Sequence, residues 1–423
     1  MKRFQHKMEI VESKNTTAPL KELIKSYAGP GKADDAAIAQ RLEKLRFPTR
    51  RDEYWKYTRT RGIEKANWQF SQSQEIDEIA IPESIGDGPR LVFVNGLLSK
   101  EFSITEGMPE IESVERNYSD ERSIPFNPLA DLNQVLPQNT FRIHLKKNEV
   151  WEQVISIVHI FNGNNAISQP YAEVILEQGA SLKINEYQLH RGAKTFSNSY
   201  TKYDVGNNAE LGLDIIQEGT NESFLHTQTL VNQEKDSRFT QNTFTLSGKW
   251  VRNNTIVNIN GQNSEANLNG MYIPSGTEHV DNHTIVDHKV AHCESNELYR
   301  GVMMDKSTGV FNGKVFVRQD AQKTNAFQSN GNVLLSDFAT INSKPELEIY
   351  ADDVKCSHGS TTGQMDEEAL FYLMSRGITE KNARILLVNA FAEDVLAEMV
   401  NENLREYIES AIKEKLSGAS NGA

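Results

Sequence analysis

Two residues late in the chain have the types and spacing for soft-metal chemistry. In Asp352-Asp353-Val354-Lys355-Cys356-Ser357-His358-Gly359 a thiol and an imidazole stand two positions apart. On an extended segment that spacing places them on one face, roughly 6–7 Å apart along the chain. Thiolate and imidazole together suit iron or zinc. Gly359 and the small residues Ser360, Thr361 and Thr362 leave room for a neighbour to approach. Two donors do not complete a four-coordinate site, so this half-site needs donors from another subunit. The alternative is a buried cysteine and a hydrogen-bonded histidine at a domain junction.

Other candidates are more scattered. His279, His283, His288 and His292 lead into Cys293. Their spacings of four and five are read as giving no shared strand face, and Thr284-Ile285-Val286 argues against a helix that would align His279 with His283. Histidines on successive strands and turns of a repeat are the plainer account; a surface metal site would need adjacent coils to converge. The segment Pro48 to Thr58 interleaves Arg50, Arg51 and Lys56 with Tyr54, Trp55 and Tyr57. Such a pattern can stack bases, but packing against the core is the expectation here, with no nucleic-acid partner. No phosphate loop, dinucleotide fingerprint, nucleophile elbow or H-E-x-x-H helix occurs, so no bound nucleotide and no ordinary hydrolytic chemistry are expected. A carbohydrate-active enzyme would need Asp281, Asp287 and Asp305 gathered on one outer face, and nothing in their spacing singles them out.

Composition narrows the field. The 423 residues carry 45 Lys and Arg against 58 Asp and Glu, a net charge of −13 that disfavours nucleic acid and anionic membranes. Only Cys293 and Cys356 are cysteines, which excludes a disulfide framework and any four-thiolate site built by one chain. No apolar run approaches the roughly 20 residues of a membrane span, and mean hydropathy is −0.55. The first residues have no apolar stretch after their basic side chains, so no secretory signal is read there and a cytoplasmic location is expected.

Three textures follow one another along the chain. Apolar residues at helical spacing (Leu20, Leu23, Ile24, Tyr27; Ile38, Leu42, Leu45) predict two helices separated by Gly29-Pro30-Gly31. Residues 70–90 read as a loop, and Leu91-Val92-Phe93-Val94-Asn95-Gly96 as a short strand and turn. From about Phe141 to Tyr350 the alphabet is Val, Ile, Thr, Asn and Gly, and one outline of apolar run, polar turn and apolar run recurs every 25–30 residues or so. A sandwich and a coiled parallel β-helix remain; the repeat favours the β-helix. After Asp366 the pattern is helical again, with a stop at Gly377, a cap at Thr379 and a third helix through Leu404, Ile408, Ile412 and Leu416. Capping the open end of the solenoid is one role for these helices; docking a partner is another.

Residues Tyr299 to Ile378 carry a long ordered string. It includes Tyr299-Arg300-Gly301-Val302, Gly309-Val310-Phe311-Asn312-Gly313-Lys314-Val315, Lys344-Pro345-Glu346-Leu347-Glu348, Lys355-Cys356-Ser357-His358-Gly359 and Leu370-Phe371-Tyr372-Leu373-Met374. This string closely resembles the SufB/SufD family of iron–sulfur cluster assembly scaffolds. Within that family it is similar to the SufD branch, because it lacks an N-terminal cysteine cluster and has Leu373 where the SufB branch has a cysteine. The resemblance implies a mainly β fold, a right-handed parallel β-helix core flanked by N- and C-terminal α-helical domains. On that basis the divisions are 1–140, 141–350 and 351–423, the last docking an ATPase.

The resemblance further implies a complex with SufB and the ABC-type ATPase SufC. His358, with Cys356 close by, would then be a metal ligand for a transient iron–sulfur cluster shared with SufB. The chain would be a scaffold and no enzyme, with ATP hydrolysed by the partner. A purely structural subunit that shapes SufB and recruits the ATPase without touching metal is the alternative. A homodimer in isolation is also conceivable through an exposed solenoid face.

Overall fold

The computed structural model describes residues 45–71, 82, 85, 88–114, 127–399, 401 and 404–419; the helices expected to begin at Leu20 and Ile38 lie outside them. The middle of the chain is a parallel β-solenoid, so the sequence repeat is a coil repeat and the sandwich alternative falls. Each coil gives one strand to each of two sheets. In neighbour order the first sheet runs from Gln138–Leu145 through Pro170–Leu176, Lys194–Val205, Ser223–Gln233, Trp250–Ile259, His279–His288 and Thr308–Val317 to Thr340–Ile349. The second runs from Arg90–Val94 and Val150–Phe161 through Ser181–His190, Glu210–Glu218, Arg238–Thr245, Glu265–Tyr272, Glu294–Met303 and Asn325–Leu334 to Lys355–Gln364. Coils step by 26 residues (Asn232 to Asn258) at the shortest of these and by 32 (Thr308 to Thr340) near the end.

A near-constant step stacks like on like. Val231, Val257, Val286 and Val315 lie beside one another in successive strands, buried between the sheets. β-Branched side chains fit such a pleated stack, and each fully buried one contributes roughly 1.5–3 kcal/mol. The corner from first to second sheet repeats as well. Gly179, Asn208, Asp236, Asn263, His292 and Lys323 each hold a positive φ there, between 55° and 71°. Left-handed backbone favours Gly, Asn and Asp, which explains the polar turn in the recurring outline. His292 is therefore a turn residue.

The two ends of the solenoid differ. At the N-terminal end Asn95-Gly96 makes a tight turn with φ of 50° and 80°, and Leu97–Leu98 folds back antiparallel on Phe93-Val94. Glu110–Ser113 likewise pairs antiparallel with Gln138–Leu145. At the other end Thr340–Ile349 and Lys355–Gln364 each have a strand neighbour on one side only among the described residues. The solenoid strands thus continue beyond residue 350, and helices begin at Glu367.

Those helices are Glu367–Ser375, Glu380–Leu396 and Arg405–Ala419. Asp366 accepts from the backbone N–H of Glu368 and Ala369, Thr379 from that of Asn382, and Gly377 turns with φ of 87°. They do not cap the open end. Ile385, Val388, Ala392, Leu404, Ile408 and Ile412 pack on the outside of the second sheet, against Tyr187, Ile216, Phe244, Met271 and Val302. The last coil therefore stays open among the described residues.

The buried titratable groups set an acid sensitivity. Burial pushes the histidines His159, His190, His226, His279, His283 and His288 below their ordinary pKa, His159 and His288 to about 4. Below about pH 6.5 the unfolded chain binds protons on these imidazoles that the folded chain refuses, so acid favours unfolding; for His159 alone the difference is roughly 3 kcal/mol at pH 4. Burial raises the carboxyls of Glu186 and Glu297, which act oppositely above about pH 4.5. Six groups outweigh two, so stability should rise between about pH 4.5 and 6.5. The urea midpoint at pH 5 should fall below that at pH 7.5; equal midpoints would refute this balance.

Candidate site at the open end of the solenoid

Cys356 and His358 lie on the terminal strand Lys355–Gln364. Strand parity puts them on one side, and the register shows which. Cys356 follows Ala326 beside it in the coil below, and His358 follows Gln328 and then Glu297. Ala326, with Ala266 and Leu268 further down, belongs to the core between the sheets. Both residues therefore face the solenoid interior.

Their environments differ. Cys356 is half-buried against that core, and burial pushes its thiol up. His358 is exposed, and its imidazole has no hydrogen-bond partner among the described residues. An interior-facing side chain is exposed here because no further coil covers it among the described residues. Ser360, on the same side, meets Ser343 of the first sheet at 2.7 Å, which closes the coil beyond the histidine.

The surroundings suit a contact surface. Phe338 and Tyr350 are 72% and 57% exposed, and Phe327 and Ile349 are also exposed close to the open coil. Exposed sheet edges present unpaired N–H and C=O groups, and soluble proteins normally blunt or cover them. Among the described residues no three His, Cys, Asp or Glu side chains are grouped to hold a metal ion. The donors at this end remain two, one imidazole and one thiol.

The remaining sequence candidates do not assemble into a second centre. His288 bonds Ser295 at 2.8 Å, and the Cys293 thiol donates to the carbonyl of Gly261. Asp287 is paired with Arg318, so Asp281, Asp287 and Asp305 do not form one carboxylate cluster. Trp55 of the basic-aromatic segment is buried, with the Arg252 guanidinium 3.8 Å above its ring, so the packing account holds for it.

One arrangement escaped the sequence reading. A separation of four is even, so His279 and His283 do share a face of the strand His279–His288, with Asp281 between them. Asp281 is buried and paired with Arg252 at 2.6 Å and His283 at 3.0 Å, and Thr58 donates to it. Arg252 also donates to the carbonyl of Tyr54. These contacts clamp the segment Tyr54 to Thr58 onto the first sheet. The even spacing on both sides of Asp281 was the available signal.

Taken together, these features define a β-solenoid left open at its last coil, with one free imidazole and one half-buried thiol at the opening. The family model described as "SUF system FeS cluster assembly, SufBD core domain" matches residues 159–391. Escherichia coli iron–sulfur cluster assembly protein SufD is 31% identical over 402 residues, covering 90% of this chain and 92% of that protein. An iron–sulfur cluster assembly SufBD family protein of Synechocystis is 28% identical, covering 85% of each. One of Mycobacterium tuberculosis is 30% identical over 60% of this chain and 65% of its own length. The chain belongs to the SufBD family of iron–sulfur cluster assembly proteins.

Proposed function

We propose that the chain is a scaffold subunit that pairs with SufB through its open coil and holds a nascent iron–sulfur cluster at that interface. The observation that carries this reading is the exposed, interior-facing His358, which among the described residues has no hydrogen-bond partner and lies on an uncovered sheet edge. His358 supplies imidazole, and SufB supplies thiolate to complete the site. Imidazole is neutral and exchanges more readily than thiolate, so a mixed site can hold a cluster and later release it. Cys356, packed against the core with its thiol raised by burial, serves first to shape the opening.

The C-terminal helices are the ATPase-docking element. Phe371, Tyr372, Met374 and Leu386 are exposed on the helices Glu367–Ser375 and Glu380–Leu396. An apolar patch of this kind on a helix pair suits a protein partner. SufC, whose ATP state binds the opened arrangement better, would then separate the two scaffold subunits and free the cargo. The complex works in the cytoplasm, and the chain itself performs no catalysis.

Reconstitution tests this. This chain, SufB and SufC should co-elute as one complex that retains iron and labile sulfide which this chain alone does not retain. Failure of this chain to join SufB would overturn the reading. Phe371→Asp should abolish co-elution of SufC, by tenfold or more in affinity, and leave pairing with SufB unchanged; retained SufC would place the docking surface elsewhere.

A further inference from the structure

Gln328 lies directly below His358 in the interior-facing column. It is buried, and its amide is held from beneath: Nε2 donates to Oε1 of Glu297 at 3.0 Å. Glu297, buried one coil further down, accepts on its other oxygen from the hydroxyl of Thr284. With its nitrogen committed to Glu297, the amide presents its oxygen elsewhere. Gln328 Oε1 is buried with no hydrogen-bond partner among the described residues. A buried acceptor left unmatched is destabilising, so its persistence calls for a partner.

The space for this amide is reserved from the opposite sheet. A Cβ on Gly313 would meet Nε2 of Gln328 at 2.9 Å and the Phe311 ring at 2.7 Å. Glycine there lets the amide reach across the coil. Of the side chains beside Gln328 in its column, Glu297 takes the amide nitrogen and His358 stands on the open side. The imidazole has a ring N–H to donate and no partner of its own.

We infer that Gln328, oriented by Glu297, is the positioning residue for His358: in the assembled site its Oε1 accepts one ring N–H and leaves the other ring nitrogen free as the ligand. A histidine ligand commonly donates its second N–H in this way, which fixes the tautomer and the ring direction. Glu297 acts by preventing the amide from turning over. The inference rests on the ligand role proposed for His358 and deepens it.

The test is a double-substitution cycle in the complex with SufB and SufC, reconstituted with ferrous iron and sulfide and titrated with a ferrous chelator. The readout is the chelator concentration that strips half the bound iron. Gln328→Leu should lower it about tenfold to a hundredfold, and the glutamate variant Gln328→Glu made together with Glu297→Gln, which exchanges donor and acceptor between the two and keeps an acceptor at the same reach, should largely restore it. In a His358→Ala background Gln328→Leu should add no further loss. Where Gln328→Leu does not assemble, Gln328→Met, of similar length and without an acceptor, takes its place. Normal retention by the leucine or methionine variant, equal loss in the glutamate variant, or an additive loss with His358→Ala would each overturn the inference. Normal retention by His358→Ala alone would instead remove the ligand role on which it rests.

Discussion

His358→Ala is expected to leave the chain folded and the complex assembled, yet to reduce the iron and labile sulfide retained after reconstitution by tenfold or more. The side chain is exposed and makes no hydrogen bond among the described residues, so its loss should change stability by no more than about 0.5 kcal/mol. Removing a ligand from a site already short of donors is a larger loss than removing a supporting hydrogen bond, which alone costs tenfold to a hundredfold in metal affinity. Cys356→Ser should lose less. Thermal unfolding and size exclusion establish the fold and the assembly, and iron and sulfide analysis reads the effect. A His358→Ala complex that retains its cluster would leave the chain as a purely structural subunit.

Asp281→Ala is expected to have the largest effect on stability. It leaves the Arg252 guanidinium buried without its carboxylate, and Thr58 without its acceptor. Breaking one side of a buried ion pair costs about 3–5 kcal/mol. The segment Tyr54 to Thr58 should then lift from the first sheet and become a protease site, visible as cleavage near Trp55 before global unfolding. Replacing both partners, Arg252→Met with Asp281→Leu, should recover much of the loss, because no buried charge is left over. Equal protease resistance in Asp281→Ala and the parent chain would show that the clamp holds nothing.

Much of this architecture was legible because a solenoid writes its period into the chain. The Asn- and Gly-rich turns mark one corner per coil, and the β-branched runs mark the strands that stack. The helix cap at Thr379 could be read from residue type alone. The even spacing of Cys356 and His358 gave their shared face, and an exposed strand edge gives that face its meaning.

What escaped was long-range. Nothing local says that Thr58 reaches Asp281, because a contact 223 positions apart leaves no periodic trace. Parity was misjudged at His279 and His283, where a gap of four keeps two residues on one side of a strand. The placement of the C-terminal helices was also hidden. Their apolar stripes fit an end or a flank equally well, and the flank was decided by Phe244, Met271 and Val302 on the outer side of the second sheet.

The antiparallel strands Leu97–Leu98 and Glu110–Ser113 bear on how far such molecules can join. A coil able to accept neighbours at both termini would template endless linear growth, as fibril-forming chains do. With one terminus folded back, the described residues leave sheet edges open at the other terminus alone. Joining through that terminus would stop at two molecules.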